Sequence, residues 1–78
     1  MKIDNFKISK NKWYIVTVDR KNLHHRHVEA RTNTKVQAVD LANQLDCADL
    51  KLFGDFITNR YIVKGVDVAC WFYKLNEA

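Results

Sequence analysis

The chain has 78 residues and a formal net charge of +4, and 47% of its residues are hydrophobic. This length accommodates one hydrophobic core, so we expect a single domain spanning residues 1–78, and the hydrophobic content excludes a disordered chain. Residues 1–35 carry nine Lys or Arg against three acids, whereas residues 36–78 carry four against six, so the two segments bear about +6 and −2. A cationic surface beside an apolar one is typical of a protein that binds a large partner.

The first predicted strand covers residues 12–18, which are rich in β-branched and aromatic side chains. Side chains alternate between the two faces of a strand, and here both faces are apolar. Trp13 and Ile15 share one face, while Tyr14, Val16 and Val18 share the other. A strand of this kind must be covered on both sides, and a single helix covers only one.

A polar turn at residues 19–22 and a second extended segment at 23–32 predict a hairpin with a cationic tip. Strict alternation places Val28 and Ala30 on one face, which we expect to point inward near the helix. It also places His25 and His27 together on the other face. A structural zinc site needs four ligands, so we predict no metal site and interpret these histidines as polar surface.

A helix is predicted to begin at Lys35, because Thr34 and Gln37 match a capping box. Apolar residues then recur with helical spacing at Ala38, Leu41, Ala42 and Leu45, so this face packs on the sheet. Residues 50–53 either extend the helix or form a strand before Gly54, and we favour a short strand.

Residues 61–63 and 66–75 are predicted strands because their residue types favour extended backbone, with a helix over 66–75 as the alternative. The expected fold is therefore α+β, with an antiparallel sheet of four or five strands and one main helix in the order ββαβ(β). In the last strand, alternation leaves one aromatic face outside the core. That face is either covered by residues 3–8 or forms an interface, and we favour a homodimer interface formed by Trp71, Phe72 and Tyr73.

The candidate target-binding or nucleic-acid-binding residues are basic side chains of the hairpin and of the entry to the first strand. They are Lys10, Lys12, Arg20, Lys21, His24, Arg26 and Arg31. Neutralisation of phosphates by such residues supplies most of the affinity of non-specific nucleic-acid binding, and an acidic protein groove would use the same charges.

No pattern of residues for catalysis accompanies these charges. Gly54 and Gly65 stand alone, so no glycine-rich phosphate loop exists. Cys47 and Cys70 lack a local nucleophile signature and are predicted to be buried, reduced thiols. Asp46 and Asp49 near the end of the helix are interpreted as solvated acids. We therefore predict a protein that is not an enzyme and needs no metal or cofactor.

The expected location is the cytoplasm, without membrane association. Two cysteines are fewer than the disulfide framework that secreted domains of this size usually carry. Residues 1–6 show no apolar export segment, and no apolar run approaches the roughly 20 residues of a membrane-spanning helix.

One stretch of the sequence resembles the arm-type DNA-binding domains of phage integrases. It consists of residues 12–14 through 31–32, followed by Thr34, Lys35, Ala38 and Leu45. Residues 50–56 with Asn59 look like the helix end of ethylene-response-factor domains. Together these stretches cover about half of the chain, and the aromatic tail has no counterpart in either family. The resemblance implies a sheet in the major groove, with Arg20, Arg26 and Arg31 contacting bases or phosphates.

The same order of strands and helix is also similar to small phage proteins that disable host enzymes, such as the phage inhibitor of bacterial RNA polymerase. That resemblance implies a non-enzymatic inhibitor that occludes the surface of a host protein of defence, restriction or transcription. We favour this function, and a small DNA-binding protein using the basic hairpin is the alternative.

Overall fold

The structure, a computed structural model, describes the backbone of residues 2–73 and the side chains of residues 2–72. Its strands are β1 (Lys2–Ile3), β2 (Phe6–Lys7), β3 (Trp13–Asp19), β4 (Arg26–Thr32) and β5 (Thr58–Lys64). Its helices are α1 (Lys35–Phe53) between β4 and β5, and α2 (Gly65–Tyr73) after β5. The α+β class predicted from the sequence is confirmed.

The main sheet has three antiparallel strands in the order β4-β3-β5, and β1 pairs with β2 in a separate hairpin. Three of the predicted strands form this main sheet, and the β1–β2 hairpin adds two strands that the sequence did not predict. Strand β3 lies at the centre, and Tyr14, Ile15 and Val16 are fully buried. Its two faces belong to two apolar clusters, as the alternation of side chains predicted.

One cluster lies between the sheet and α1 and includes Ile15, Ala38 and Ala42. Helix α1 begins at Lys35, and both hydrogen bonds of the predicted capping box form between Thr34 and Gln37. The prediction that residues 50–53 form a strand is wrong. No helix-breaking residue precedes Gly54, which ends α1 with a left-handed φ of 71° and donates its N–H to Leu50 O at 2.9 Å.

The other cluster lies on the opposite face of the sheet and is covered by α2 and the β1–β2 hairpin. The turn of that hairpin consists of Asp4 and Asn5, both with positive φ, as a tight two-residue turn requires. The buried hydroxyl of Tyr14 donates to Lys7 O and accepts from Ser9 N, which holds this segment against the sheet. Residues 3–8 therefore cover the face of the sheet opposite α1, together with α2.

The predicted strand over residues 66–75 is wrong as far as the described residues reach, because α2 is a helix. Val68, Trp71 and Phe72 recur at helical spacing and all pack on the second cluster. Favourable strand propensity is overridden because this spacing brings three large apolar side chains onto one covered face. Neither described helix combines the length and the apolar character needed to cross a membrane.

Strand β4 contains a bulge that the sequence did not reveal. Ile15 pairs with Ala30 but Val16 pairs with Val28, so Glu29 is the extra residue. The bulge sends Val28 into the cluster below α2 and Ala30 into the cluster below α1. The prediction that both face the same helix is therefore wrong. Asp4 Oδ2 accepts a hydrogen bond from Val28 N at 2.8 Å, which fastens the β1–β2 hairpin beside the bulge.

Candidate binding surfaces

The predicted basic residues lie at two opposite ends of the sheet. Lys10, Lys12 and Arg31 lie where β3 begins and β4 ends. Arg20, Lys21, His24 and Arg26 lie at the other end, around the β3–β4 loop. Because β3 has seven residues, these ends are about 20 Å apart. The single basic site expected from the sequence is therefore two separate surfaces.

At the loop end, both arginines bond to backbone carbonyls. Arg20 Nη1 donates to Phe56 O at 2.7 Å, which braces the segment that follows α1. Arg26 donates to Leu23 O at 2.6 Å and to Trp71 O at 2.9 Å. These bonds leave both positive charges in place but occupy guanidinium donors that base recognition would need.

The turn at the start of this loop is organised by Asp19. Its Oδ1 accepts hydrogen bonds from the backbone N–H of Lys21 at 2.7 Å and of Asn22 at 3.2 Å. These two N–H groups hold the pKa of Asp19 below its ordinary value. The carboxylate thus fixes the backbone that carries the exposed Lys21.

A set of large apolar side chains is exposed next to this loop, and we call it the apolar ridge. It consists of Leu52 (77% exposed), Phe53 (59%), Phe56 (46%) and Ile57 (42%). Phe56 and Ile57 share a surface cleft with Arg20 and Lys21. The sequence reasoning missed the ridge because residues 50–53 were assigned to a strand. The sequence did contain a signal for the ridge, because two large apolar residues precede Gly54 and two more follow shortly after it.

At the opposite end, lysines surround Trp13. The Nζ atoms of Lys35 and Lys64 lie 5.8 and 5.9 Å from the centroid of the indole ring. Lys12 Nζ donates to Asn33 Oδ1 at 2.7 Å. With Lys10 and Arg31 these residues form what we call the cationic end.

The sheet face opposite α1 is closed to a ligand. Tyr14, Val16, Val18, Val28 and Val63 are each at most 4% exposed on it, because α2 and the β1–β2 hairpin cover them. The integrase-arm resemblance implies DNA reading through a sheet surface. In this chain the face opposite α1 is packed against α2 and the β1–β2 hairpin.

Between α1 and the sheet, Arg60 lies among three carboxylates. Its side chain is only 5% exposed, and it donates to Glu29 Oε1 at 2.6 Å, Asp46 Oδ1 at 2.5 Å and Asp49 Oδ2 at 2.8 Å. The interpretation of Asp46 and Asp49 as merely solvated acids is therefore wrong, since both bind a buried guanidinium. Among residues 2–72, no group of three or more His, Cys, Asp or Glu is arranged to hold a metal ion.

The electrostatics of this cluster tie folding to the ionised state of Glu29. Burial alone would raise the pKa of Glu29, but hydrogen bonds from Arg60 and Thr17 outweigh it and lower that pKa below 4.5. Burial would likewise lower the pKa of Arg60, but its bonds to Glu29, Asp49 and Asp46 raise that pKa above its ordinary value. The arginine therefore stays charged and holds strand β4, strand β5 and helix α1 together.

We expect the wild-type stability to fall with acidification through this cluster. A carboxylate whose pKa is lower in the folded state contributes stability above its unfolded-state pKa, and that contribution is lost as the pH falls below about 4.5 through the folded value. The variant Glu29→Gln should show a shallower loss of urea midpoint between pH 5 and pH 3. Equal slopes for wild type and variant would contradict this assignment.

The predicted dimer-interface residues lie in α2, and the cysteines differ from expectation. Trp71 and Phe72 pack, half-buried, on the chain's own core, and Trp71 stacks on Tyr61 at 4.6 Å between centroids. The side chain of Tyr73 lies outside the described residues. Cys47 and Cys70 are exposed free thiols, so their predicted burial is wrong. Helical geometry turns Cys70 away from the face formed by Val68, Trp71 and Phe72.

Comparisons with known proteins gave no match. No family model matches the sequence, and neither the curated proteins nor the solved structures include a match to this chain. The case for function therefore rests on the geometry of the surfaces described above.

Proposed function

We propose that this chain is a non-enzymatic binding protein that docks on a partner protein through the apolar ridge and the basic loop beside it. The observation that supports this most is the exposure of the four ridge side chains, of which two precede Gly54 and two follow it. The exposed fraction of each lies between 42% and 77%. Aromatic and arginine side chains are enriched at the centres of protein interfaces. Phe53, Phe56 and Arg20 supply that combination here.

The ridge is suited to binding because part of it is held in place. Arg20 Nη1 bonds to Phe56 O at 2.7 Å, and Arg20 N bonds to Ile57 O at 3.4 Å. Binding to a partner then orders fewer groups, which reduces the entropic cost of association. The partner chemistry that fits is an apolar groove with an acidic rim, which would face Lys21 and Arg20.

The resemblance to small phage inhibitors suggests the class of partner. A host protein of defence, restriction or transcription that normally contacts nucleic acid or nucleotide would be blocked by occlusion of its surface. A role for the basic hairpin in DNA reading is less favoured, since Arg20 and Arg26 already donate to backbone carbonyls.

The test is capture of a partner from nuclease-treated host lysate by three versions of the tagged protein. The double variant Phe53→Ser/Phe56→Ser removes the centre of the ridge. The matched control, Val36→Ser/Val39→Ser, removes two exposed apolar residues of the same helix, which are 78% and 41% exposed. We expect a partner that wild type and control retain and that the ridge variant binds at least tenfold more weakly, as for loss of two interface anchors.

Two outcomes would contradict the proposal. One is that no protein remains bound after nuclease treatment, and the other is that the ridge variant retains the partner as well as the control does. Light scattering on the same samples also tests the homodimer predicted from the sequence, since the mass of two chains would support it and the mass of one would refute it.

A further inference from the structure

We propose that the cationic end is a second binding site, specific for single-stranded nucleic acid, with phosphates on its lysines and a base on Trp13. This inference goes beyond the proposed function and uses different residues. Helix α1 runs from the cationic end to the apolar ridge, and its 19 residues separate the two by about 27 Å. Each surface can therefore be altered without touching the other.

The first support is the placement of the lysines. Lys35 opens α1 and Lys64 closes β5, yet the fold brings both to the indole ring of Trp13, and Lys12 immediately precedes β3. Lys64 is the direct cross-strand partner of Trp13, and the Nζ atoms of Lys35 and Lys64 both lie within 6 Å of the indole centroid. Because lysine side chains are flexible, the ammonium groups of Lys35 and Lys64 can turn from the ring to phosphates on either side of it.

The second support is the absence of acids from the segments that build this end. Residues 10–18, 30–39 and 61–66 contain no Asp or Glu, while they contain five Lys or Arg. Those five are Lys10, Lys12, Arg31, Lys35 and Lys64. On most protein surfaces lysines are interspersed with acids. The summed charge of these three segments is +5, so they produce an electrostatic field that attracts a polyanion.

The side chains, and not the helix terminus, carry this inference. The capping box already engages the amides of Thr34 and Gln37, because Gln37 N donates to Thr34 Oγ1 and Gln37 Oε1 accepts from Thr34 N and Asn33 N. A phosphate at this end would therefore be bound by ammonium and guanidinium groups.

The aromatic ring selects the kind of polyanion. Trp13 is half-buried against the α1 cluster, so its indole is held in place. The Nζ atoms of Lys35 and Lys64 lie over the ring, so a base that stacks on it takes their place as they turn to its phosphates. In a single strand, bases are free to stack on aromatic side chains while a cationic surface follows the backbone. In a duplex the bases stack on one another, and an acidic peptide has no comparable ring in each repeat. Single-stranded nucleic acid is thus the ligand that uses both features.

The test is titration with a 20-nucleotide oligo-dT at low salt, with tryptophan fluorescence as the readout. The background Trp71→Phe leaves Trp13 as the only tryptophan. We expect quenching of Trp13 on binding and a linear fall of log affinity with log salt concentration. The variant Lys12→Gln/Lys35→Gln/Lys64→Gln should lose at least tenfold in affinity and about two units of that slope, since each phosphate contact on a single strand contributes about 0.7.

The matched control is Lys2→Gln/Lys7→Gln/Lys51→Gln, which removes the same charge from exposed lysines outside both proposed surfaces. It should keep the slope within one unit of the wild type. The inference would be overturned if oligo-dT did not bind, or if both triple variants lost the same affinity for it. It would also be overturned if a duplex of the same length bound more tightly, or if polyglutamate competed equally well for the site without quenching Trp13. The cationic-end variant should still capture the ridge's protein partner, so failure of one proposal does not decide the other.

Discussion

Replacing Arg60 with methionine is expected to lower the free energy of unfolding by about 2 to 3 kcal/mol at pH 7, less than for a fully buried ion pair because the three carboxylates left behind are 15–36% exposed. Arg60 is 5% exposed and bonds to Glu29, Asp46 and Asp49. Without it, three carboxylates remain close together with no cation between them. For a domain of 78 residues this loss is a large part of the total stability.

The pH dependence separates loss of charge pairing from loss of packing. In the Arg60→Met variant Glu29 loses the Arg60 hydrogen bonds that lower its pKa but keeps the burial that raises it, so the pKa of Glu29 should rise and the folded state should gain relative stability as the pH falls from 7 to 4. In the wild type, the lowered pKa of Glu29 gives the opposite trend. The stability difference between the two proteins should therefore shrink on acidification, measured by urea unfolding at pH 7, 5.5 and 4.

The control for this prediction neutralises the whole cluster. The variant Arg60→Met/Glu29→Gln/Asp46→Asn/Asp49→Asn leaves no unpaired charge and should recover most of the lost stability, because exchanging a complete buried ion network is often close to neutral. If the single and quadruple variants were equally unstable at every pH, packing of the Arg60 side chain would be its main contribution.

The central part of the fold could be predicted because its signals are local. The alternation of Trp13, Tyr14, Ile15 and Val16 predicted a strand covered on two faces, and the structure places one cluster on each side. Thr34 and Gln37 predicted the start of α1 for the same reason, since a capping box involves only the first turn of the helix.

The errors arose where pairing between distant residues decides the structure. The sequence of residues 26–32 contains no signal for a bulge. Glu29 nevertheless forms one, and its carboxylate accepts hydrogen bonds from Thr17 and Arg60, which lie 12 and 31 residues away along the chain. The bulge sends Val28 and Ala30 to opposite faces. Similarly, residues 66–73 have strand-forming side chains, but packing of Val68, Trp71 and Phe72 on the second cluster selects a helix.

The candidate surfaces were only partly predictable. Sequence reasoning placed the candidate basic residues in one target-binding set, whereas the structure divides them between the two ends of β3. Lys64 was not among the basic residues named from the sequence, since only the folded chain brings it to Trp13. The apolar ridge depends on α1 continuing to Phe53, which the break at Gly54 obscured.

Replacing Gly65 with alanine is expected to destabilise the protein by about 3 kcal/mol, at the upper end of the usual cost of overpacking. Strand β5 passes directly into α2 at this buried residue, and Gly65 N donates to Lys12 O at 2.8 Å. A Cβ here would lie 1.8 Å from Ser9 O and 2.7 Å from Ser9 C. Both are backbone atoms, so rotation of a side chain cannot relieve the overlap.

The matched control is Gly54→Ala, because Gly54 has a left-handed φ of 71° but open space where a Cβ would be. That variant should cost only about 1 to 2 kcal/mol of backbone strain. In Gly65→Ala, Ser9 must move, which breaks its hydrogen bond to Tyr14 and loosens the β1–β2 hairpin that Asp4 fastens to Val28. Amide exchange should therefore accelerate at Val28 in Gly65→Ala and not in Gly54→Ala. Equal stability and equal exchange in the two variants would show that Ser9 yields to a Cβ at little cost.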